Sequence, residues 1–484
     1  MSRICVSLSG GAAIAGRSFV EIRLDRGSSW PVIPAGCDAI ATCRASWEGG
    51  TFAGSEEERR ALVERAASSG AWAVDVEARA AWRPARPGGV KLILSHHDFE
   101  GVPADARGLA QRMLSEKADI AKIAATPRSA GELRALIDLQ RDLGARAVVV
   151  PMGELGAAAR ILGARSGAPW TYAAPADGES TAAGQWGEAE LRSLYRFERI
   201  SPSTRAFCVA GDPVAHSKSP WLFNTAFAKA GLDAVYVPAL TRDGELFSTL
   251  EALGVEGASV TIPHKVDAAR GAAADATARR TGAANTLTRR DGGWEATNTD
   301  AAGFLESLEA GLGRAAKGLR VVVLGAGGAA RAILAALAGP NVLFLAGRNA
   351  VKTGELAREF DATPVPWTVG KGIALDVLVN TTSVGMEPGV DETPFAAAGL
   401  PAGCAVYDCV YNPRETRLLR EAAAKGCRAI SGVGMFVGQA ARQWKTWFGK
   451  EGGSAIKEAI EEFLGEGKGN NETKNEKVKT KNKK

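Results

Sequence analysis

One lysine stands inside an otherwise apolar run: Lys122, in DIAKIAAT. A lysine buried in a strand is costly unless its amine is neutral or paired. Burial and nearby cationic groups lower an amine's pKa, and a neutral amine can attack a ketone to form a Schiff base. His97, in SHHDF, can move protons near neutral pH. Arg23, Arg44 and Arg160 suit the carboxylate and hydroxyls of a small anionic substrate. Strand alternation turns His96 away from His97, and we expect it to be structural. The chemistry this set predicts is covalent catalysis at a carbonyl with acid–base help.

A second set lies further along the chain. VAGDPVAHSKSP places Ser217 and Ser219 in a loop, GASVTIPHK adds Thr261 and Lys265, GAANTLT adds Asn285, and NTD adds Asp300. Hydroxyls, an amide, an amine and a carboxylate together suit a small polyol acid. Lys265 and Asp300 are the pair for proton transfer, since reducing a ketone needs a proton for the new alkoxide. Gly325, Gly327 and Ala330 fit G-x-G-x-x-A after an apolar run at 319–324 and before a helical one, the dinucleotide-binding context. After the next strand, LFLAGRNAVK supplies Arg348 and Lys352 and no acid. NAD sites place Asp or Glu there, so two cations predict a 2′-phosphate and NADP.

The elements that must position these groups follow from the apolar patterning. Eight strand-like runs occur at 4–8, 19–24, 39–43, 72–77, 90–95, 119–124, 147–151 and 169–173. Helical stretches lie between several, at 56–67, 105–117, 129–143 and 155–164. This is the arithmetic of a (β/α)8 barrel, whose chemistry belongs at the C-terminal strand ends. Glu21 and Arg23 close the second strand, Arg44 and Glu48 follow the third, and His97 follows the fifth. Lys122 sits near the end of the sixth, Arg160 lies just past the seventh, and Thr181 and Gln185 lie past the eighth. The connections at 9–18, 25–37 and 78–89 are too short for ordinary crossover helices, so the barrel is trimmed. The expected organisation is an α/β chain. A barrel at 1–197 is followed by a linker at 198–204 and a two-domain αβ dehydrogenase. Its substrate domain spans 205–313, with helices of 436–464 packing back on it, and its Rossmann-type NADP domain spans 314–435.

Composition excludes other classes. Apolar residues are 46% and charged residues 23% of 484, a globular balance. No apolar run reaches the roughly 18 residues of a membrane span. Four of the five net positive charges sit in residues 465–484. The charge balance therefore gives no support for a nucleic-acid-binding surface, and that Lys-rich tail reads as disordered. Seven scattered Cys without a C-x-x-C pair, and four His, predict no metal. The first sixteen residues superficially suggest an export signal, but Ser7, Ser9, Gly10 and Gly11 break it. We expect a cytoplasmic protein.

EIRLD, RASWE, SHHDF, KIA and the Arg160 region resemble type I 3-dehydroquinate dehydratase over residues 1–195. The resemblance implies a Schiff base on Lys122, with His97 as base and then acid, and Glu48 orienting His97. It also implies substrate contacts from Ser7, Glu21, Arg23, Arg44, Arg160, Thr181 and Gln185. The Ser-Lys-Ser loop, VTIPHK, NTLT, NTD, GAGGAAR, NTTSVGM, YDCVYNP and GVGMFVGQAA resemble shikimate dehydrogenase over residues 205–464. This second resemblance implies substrate contacts from Ser217, Ser219, Thr261, Asn285, Asp300, Tyr411 and Gln439, and Lys265 as catalytic acid or base. It implies NADP contacts from Gly325, Ala326, Gly327, Gly328, Ala329, Arg348, Asn349, Lys352, Cys409 and Gly432. The two families catalyse successive steps, so the expectation is a bifunctional dehydratase and dehydrogenase. Two alternatives stand beside it: a quinate-preferring dehydrogenase, and a dehydrogenase whose barrel is a non-catalytic binding or structural partner.

Overall fold

The computed structural model describes all residues except 1, 10–13, 28, 176–183, 368–373, 451 and 466–484. Thr181 and nearly all of the Lys-rich tail therefore lie outside the described residues. The chain divides into two compact units, Met1–Cys208 with Leu232–Val255, and Val209–Gly231 with Glu256–Lys484.

The first unit is built on eight parallel strands: β1 (Arg3–Ser9), β2 (Phe19–Arg23), β3 (Asp38–Thr42), β4 (Ala73–Glu77), β5 (Lys91–Asp98), β6 (Ile120–Ala125), β7 (Ala147–Pro151) and β8 (Trp170–Ala173). Their order is β7-β6-β5-β4-β3-β2-β1-β8, a near-closed barrel. Helices α1 (Glu56–Ser68), α2 (Ala106–Ser115), α3 (Ala130–Leu143) and α4 (Gly153–Ile161) follow β3, β5, β6 and β7, and α5 (Glu188–Ser193) comes after β8. Among the described residues no α-helix joins β1 to β2, β2 to β3 or β4 to β5, as the short connections predict. Ser55 starts α1 with a capping box to Glu58, which satisfies two orphan backbone donors.

Side-chain alternation sorts the barrel interior into layers. Cys5, Phe19, Ile40, Ala73, Ile93, Ile120, Val148 and Trp170, one from each strand, form an apolar floor. Phe19 packs edge-on against Trp170 at 5.3 Å between ring centroids. Two residues further along, the same face carries Ser7, Glu21, Thr42, Asp75, Ser95, Lys122, Val150 and Tyr172. The polar layer thus rests on a dry floor, where charges interact strongly.

Two further sheets carry the dehydrogenase-like part. The first has order β10-β9-β11-β13-β14-β12, from β9 (Arg205–Gly211), β10 (Ala234–Leu240), β11 (Gly257–Val260), β12 (Ala273–Ala274), β13 (Thr286–Arg290) and β14 (Gly293–Thr297). Its helices are α6 (Ser219–Ala230), α7 (Leu246–Leu253), α8 (Lys265–Arg270), α9 (Ala276–Thr281) and α10 (Asp300–Leu312). Strand β10 and helix α7 belong to the first unit: α7 packs on α3 and β10 on α4. The Ala130 N–H donates to Glu245 there, and Arg165 donates to the Gly254 carbonyl.

The last sheet has order β17-β16-β15-β18-β19-β20 and is parallel throughout. Its strands are β15 (Arg320–Leu324), β16 (Val342–Ala346), β17 (Thr363–Val365), β18 (Val377–Asn380), β19 (Ala405–Asp408) and β20 (Arg428–Ser431). That is the dinucleotide-fold order, with its switch point beside β15. Helices α11 (Gly328–Leu337), α12 (Ala350–Glu359), α13 (Arg417–Ala424) and α14 (Val433–Phe448) complete it. Helix α14 packs back on the substrate domain, where the Trp447 indole N–H donates to the Leu287 carbonyl.

Candidate active sites

At the barrel mouth Lys122 is buried, and its Nζ lies 2.9 Å from Asp75 and 3.5 Å from Glu21. The Tyr172 ring centroid is 4.4 Å from the amine. The nearest charges are therefore anions, the pairing that a lysine buried in a strand requires. Asp75 also accepts from Arg44 at 2.9 Å and from the Ser95 hydroxyl at 2.5 Å. Burial would raise the Asp75 carboxyl, but the Arg44 and Lys122 charges hold it well below its usual range. Ser7 donates to Glu21 at 2.7 Å, and Thr42 donates to the other Glu21 oxygen at 2.9 Å.

The guanidinium groups divide into two kinds. Arg44 donates to Asp75, Ser95 and Glu77, and Arg23 makes a bidentate pair with Asp25 at 2.9 Å. Protein carboxylates thus hold the two residues that were expected to meet substrate. Arg160 differs. It is only 6% exposed, its Nε and Nη2 have no hydrogen-bond partner among the described residues, and burial lowers it to about 10. An unmatched buried guanidinium fits a ligand carboxylate. Gly184, in the left-handed region at φ +67°, lies against it, so an added Cβ would sit 3.0 Å from Nη2. Gln185 follows directly and is half-buried.

Glu48 fixes His97. Its Oε2 accepts from the His97 backbone N–H at 3.1 Å and lies 3.0 Å from Nδ1. A carboxylate there places the proton on Nδ1 and leaves Nε2 as the basic nitrogen. Burial, then the Arg44 charge, push His97 down to about 3. Burial works to raise Glu48, but His96, His97 and Arg44 bring it to about 2. Alternation does not carry His96 away from this group: its Nδ1 lies 3.6 Å from Glu48 Oε1. Strand alternation does not separate two neighbouring imidazoles when one carboxylate has an oxygen for each. Sequence reasoning misses Asp75, Ser95, Glu77, Asp25 and Tyr172, although the two-residue repeat from the apolar floor marks Asp75, Ser95 and Tyr172.

In the second unit a cavity of about 210 Å³ gathers Ser217, Ser219, Thr261, Lys265, Asn285, Asp300, Tyr411 and Gln439. Lys265 Nζ is 2.5 Å from Asp300. Asn285 donates to the other Asp300 oxygen at 2.8 Å and to Thr299 at 2.9 Å. Lys265 opens α8, where the helix dipole disfavours a cation, whereas Asp300 opens α10, where it favours an anion. The ammonium's position is therefore sustained by its partner and not by its helix. Gln443, which sequence reasoning also misses, donates to the Asn285 carbonyl at 3.0 Å and accepts from Ser259 at 2.8 Å. Thr381, Thr382, Met435 and Phe436 also line this cavity.

The residues present fit a dinucleotide. Gly325 has φ +109°, and a Cβ on it would lie 2.5 Å from the Thr381 hydroxyl, so only glycine serves there. Nothing lies within 4 Å of a Cβ on Gly327, which caps α11 and leaves open space at that helix N-terminus. A Cβ on Gly328 would meet the Lys265 side chain at 2.6 Å, so this turn runs against the lysine. Ala329, Cys409 and Gly432 line the cavity itself, and Ala326 lies within the same turn. Arg348 and Lys352 are exposed past the end of β16. Asn349 is committed to the start of α12, where its side chain accepts from the Lys352 N–H.

A near-closed parallel barrel and a dinucleotide-binding fold with a polar cleft define an α/β enzyme with two sites. The type I 3-dehydroquinase family matches residues 13–202, and the shikimate dehydrogenase substrate-binding domain matches residues 209–287. A chloroplastic bifunctional 3-dehydroquinate dehydratase/shikimate dehydrogenase of Arabidopsis thaliana is 34% identical, over 90% of this chain and 78% of that protein. The chain belongs to the family of bifunctional 3-dehydroquinate dehydratase/shikimate dehydrogenases. A shikimate dehydrogenase (NADP+) of Moorella thermoacetica is 40% identical over 54% of this chain and 94% of its own length. A shikimate dehydrogenase solved in complex with NADP+ superposes with a TM-score of 0.50 at 35% identity, covering 54% of this chain and 96% of that one. No helix among the described residues is long and apolar enough to cross a membrane.

Proposed function

We propose that the barrel mouth dehydrates 3-dehydroquinate to 3-dehydroshikimate and that the second cleft reduces 3-dehydroshikimate to shikimate with NADPH. The observation that carries the first step is a buried Lys122 on the polar layer, beside a His97 fixed by Glu48. Asp75 and Glu21 hold the amine, and they are the proton acceptors within its reach. Lys122 attacks the ketone, water leaves, and a protonated imine forms. That cation draws electrons from the adjacent carbon, and His97 Nε2 removes the proton there. The same proton then goes to the departing hydroxyl, which leaves as water as the ring double bond forms. Hydrolysis of the imine frees the product and restores the amine. Arg160 receives the substrate carboxylate, and Ser7, Glu21, Arg23, Arg44 and Gln185 surround the remainder.

In the reductive site Lys265 donates the proton that the ketone oxygen needs as it becomes a hydroxyl, and Asp300 holds the ammonium toward the cavity. Ser217, Ser219, Thr261, Asn285, Tyr411 and Gln439 hold the ring hydroxyls and carboxylate. NADPH, when bound, supplies the hydride. The Gly325–Ala329 turn would hold its pyrophosphate, with Arg348 and Lys352 at the 2′-phosphate and Asn349, Cys409 and Gly432 nearby. The seven cysteines are free thiols, which supports a reducing, cytoplasmic setting.

One assay tests both steps: purified protein given 3-dehydroquinate and NADPH should oxidise the cofactor. Borohydride added with 3-dehydroquinate should leave a reduced adduct on Lys122. Cofactor oxidation with 3-dehydroshikimate but not with 3-dehydroquinate, and no adduct, would make the barrel a binding partner only. A higher kcat/KM for quinate oxidation than for shikimate oxidation would identify a quinate-preferring enzyme.

A further inference from the structure

The substrate cavity of the second unit has a wall whose support comes from the far end of the chain. Tyr411 lines the cavity and stacks on Phe436, with ring centroids 4.3 Å apart and planes at 18°. Its hydroxyl bonds to Ser217 on the opposite loop. Phe436 in turn meets Phe463, in the closing helix at residues 453–465, at 5.3 Å. Phe463 also meets Trp221, on the helix that Ser219 opens, at 5.9 Å. A single buried ring, 6% exposed, therefore contacts the helix that Ser219 opens and the Phe436 ring on which Tyr411 stacks.

Arg414 holds that ring in place. It lies three residues beyond Tyr411, and its guanidinium carbon sits 4.7 Å from the Phe463 ring centroid. It donates to the Phe463 carbonyl and, at 3.1 Å, to the Leu464 carbonyl. These are among the last carbonyls of the closing helix, where unsatisfied acceptors and the dipole both favour a cation. The Arg414 backbone carbonyl accepts from Ser431, just ahead of α14, at 2.9 Å. Cation–ring contact and carbonyl capping thus lock the final turn against the wall.

We propose that Phe463, clamped by Arg414, is a positioning residue for the reductase: it sets the geometry of Tyr411 and the Ser217–Ser219 loop and so governs affinity for the carbonyl substrate. Phe463 does not line the cavity, so it acts through Phe436 and Trp221. The proposal rests on reading this cavity as the 3-dehydroshikimate site. Removing the ring leaves a void that neighbouring side chains fill only in part, and the wall relaxes into it. Binding should suffer more than proton or hydride delivery, because Lys265 and Asp300 are held by Asn285 and not by this cluster.

The test is steady-state kinetics on full-length protein. Phe463→Ala should raise the KM for 3-dehydroshikimate about tenfold, with kcat and the KM for NADPH within about twofold. Phe463→Leu, which retains most of the volume, should recover much of that loss, and Arg414→Gln should give a smaller rise in the same KM. Dehydration of 3-dehydroquinate by each variant should match the parent. An unchanged KM in a folded Phe463→Ala protein would overturn the proposal, as would a loss falling equally on the KM for NADPH. If Phe463→Ala does not fold, Arg414→Gln decides: a selective rise supports the clamp, and parental kinetics reject it. A parent protein that fails to reduce 3-dehydroshikimate refutes the functional reading instead, so the two failures are distinguishable.

Discussion

Each proposed site is built around one lysine, and the two are held in opposite ways. Lys122 sits in a strand above a dry floor, with two carboxylates in reach and an aromatic ring beside it. Around it Arg44, Asp75, Glu77, Ser95, Glu21 and Ser7 form a continuous network of buried polar groups. Lys265 opens a short helix at the edge of a cavity and has one carboxylate at 2.5 Å. The contrast fits the task proposed for each. A lysine that becomes covalently joined to substrate must be positioned to a fraction of an ångström, and a closed network does that. A lysine that passes a proton needs access to the cavity and one anion to orient it.

The most severe test of this contrast is Lys122→Ala. Dehydration should fall by more than about 10⁴-fold, because the covalent route is lost and not merely weakened. Reduction of 3-dehydroshikimate by the same protein should stay within about twofold. Equal loss of both activities would mean that the sites are not independent. Lys265→Ala should lower kcat for reduction about 10³-fold with little change in KM, the size expected for a positioned proton donor. An effect confined to KM would remove the proton-transfer role and leave Lys265 as a binding group.

Stability should separate the halves as well. Asp75 is fully buried between Arg44 and Lys122. Asp75→Asn leaves two cations under-neutralised in a dry layer and should cost about 3–5 kcal/mol. Asp300→Asn leaves unpaired a lysine that already lines the cavity and is not enclosed in a closed network, so its cost should be about 1 kcal/mol. Calorimetric transitions of the two variants would show this, and similar losses would contradict the account of the barrel network.

Why some of this is legible in the sequence and some is not has a physical basis. Groups contiguous in sequence are legible as groups: the Gly325–Ala330 turn is a local event between β15 and α11, with the strand and helix on either side that its residues require. The eight barrel strands are likewise visible, because each is a short apolar run. The internal network is less visible. Asp75 and Ser95 belong to the layer two residues above Ala73 and Ile93, and strand ends alone do not reveal that layer. The role of Glu48 toward His96 depends on where the chain goes after β5 and β3, which no periodicity encodes. Contacts such as Phe463 with Trp221 join residues more than 200 positions apart and follow only from the tertiary fold.

A smaller effect sharpens the cofactor side of the comparison. Arg348 is exposed past β16, in a position without an acid. Arg348→Ala should lower the preference for NADPH over NADH about tenfold, measured as the ratio of kcat/KM values. An unchanged ratio would move 2′-phosphate recognition away from this residue.

The smallest expected signal is one that does not change. His97 is pushed down to about 3 from an ordinary 6.5, first by burial and then by the Arg44 charge. Its ring should therefore remain neutral between about pH 8 and pH 5, ready to accept a proton throughout. In histidine-labelled protein, the ring resonances assigned to His97 by comparison with His97→Gln should stay flat over that range. A midpoint near 6.5 would show a solvated imidazole and dismantle the dry-network account. The sign for stability follows from the same shift. The unfolded chain takes up a proton near 6.5 that the folded barrel refuses, so stability drains away as pH falls from there toward 3. Glu48 adds to the trend, because burial is overridden by His96 and His97 and its carboxyl is held at about 2. Its contribution is intact above the ordinary 4.5 and is lost as pH falls toward 2. Both groups belong to the barrel, so acid should unfold the barrel first and abolish dehydration while reduction persists. Loss of reduction before dehydration on acidification would reverse the contrast between the two lysine environments.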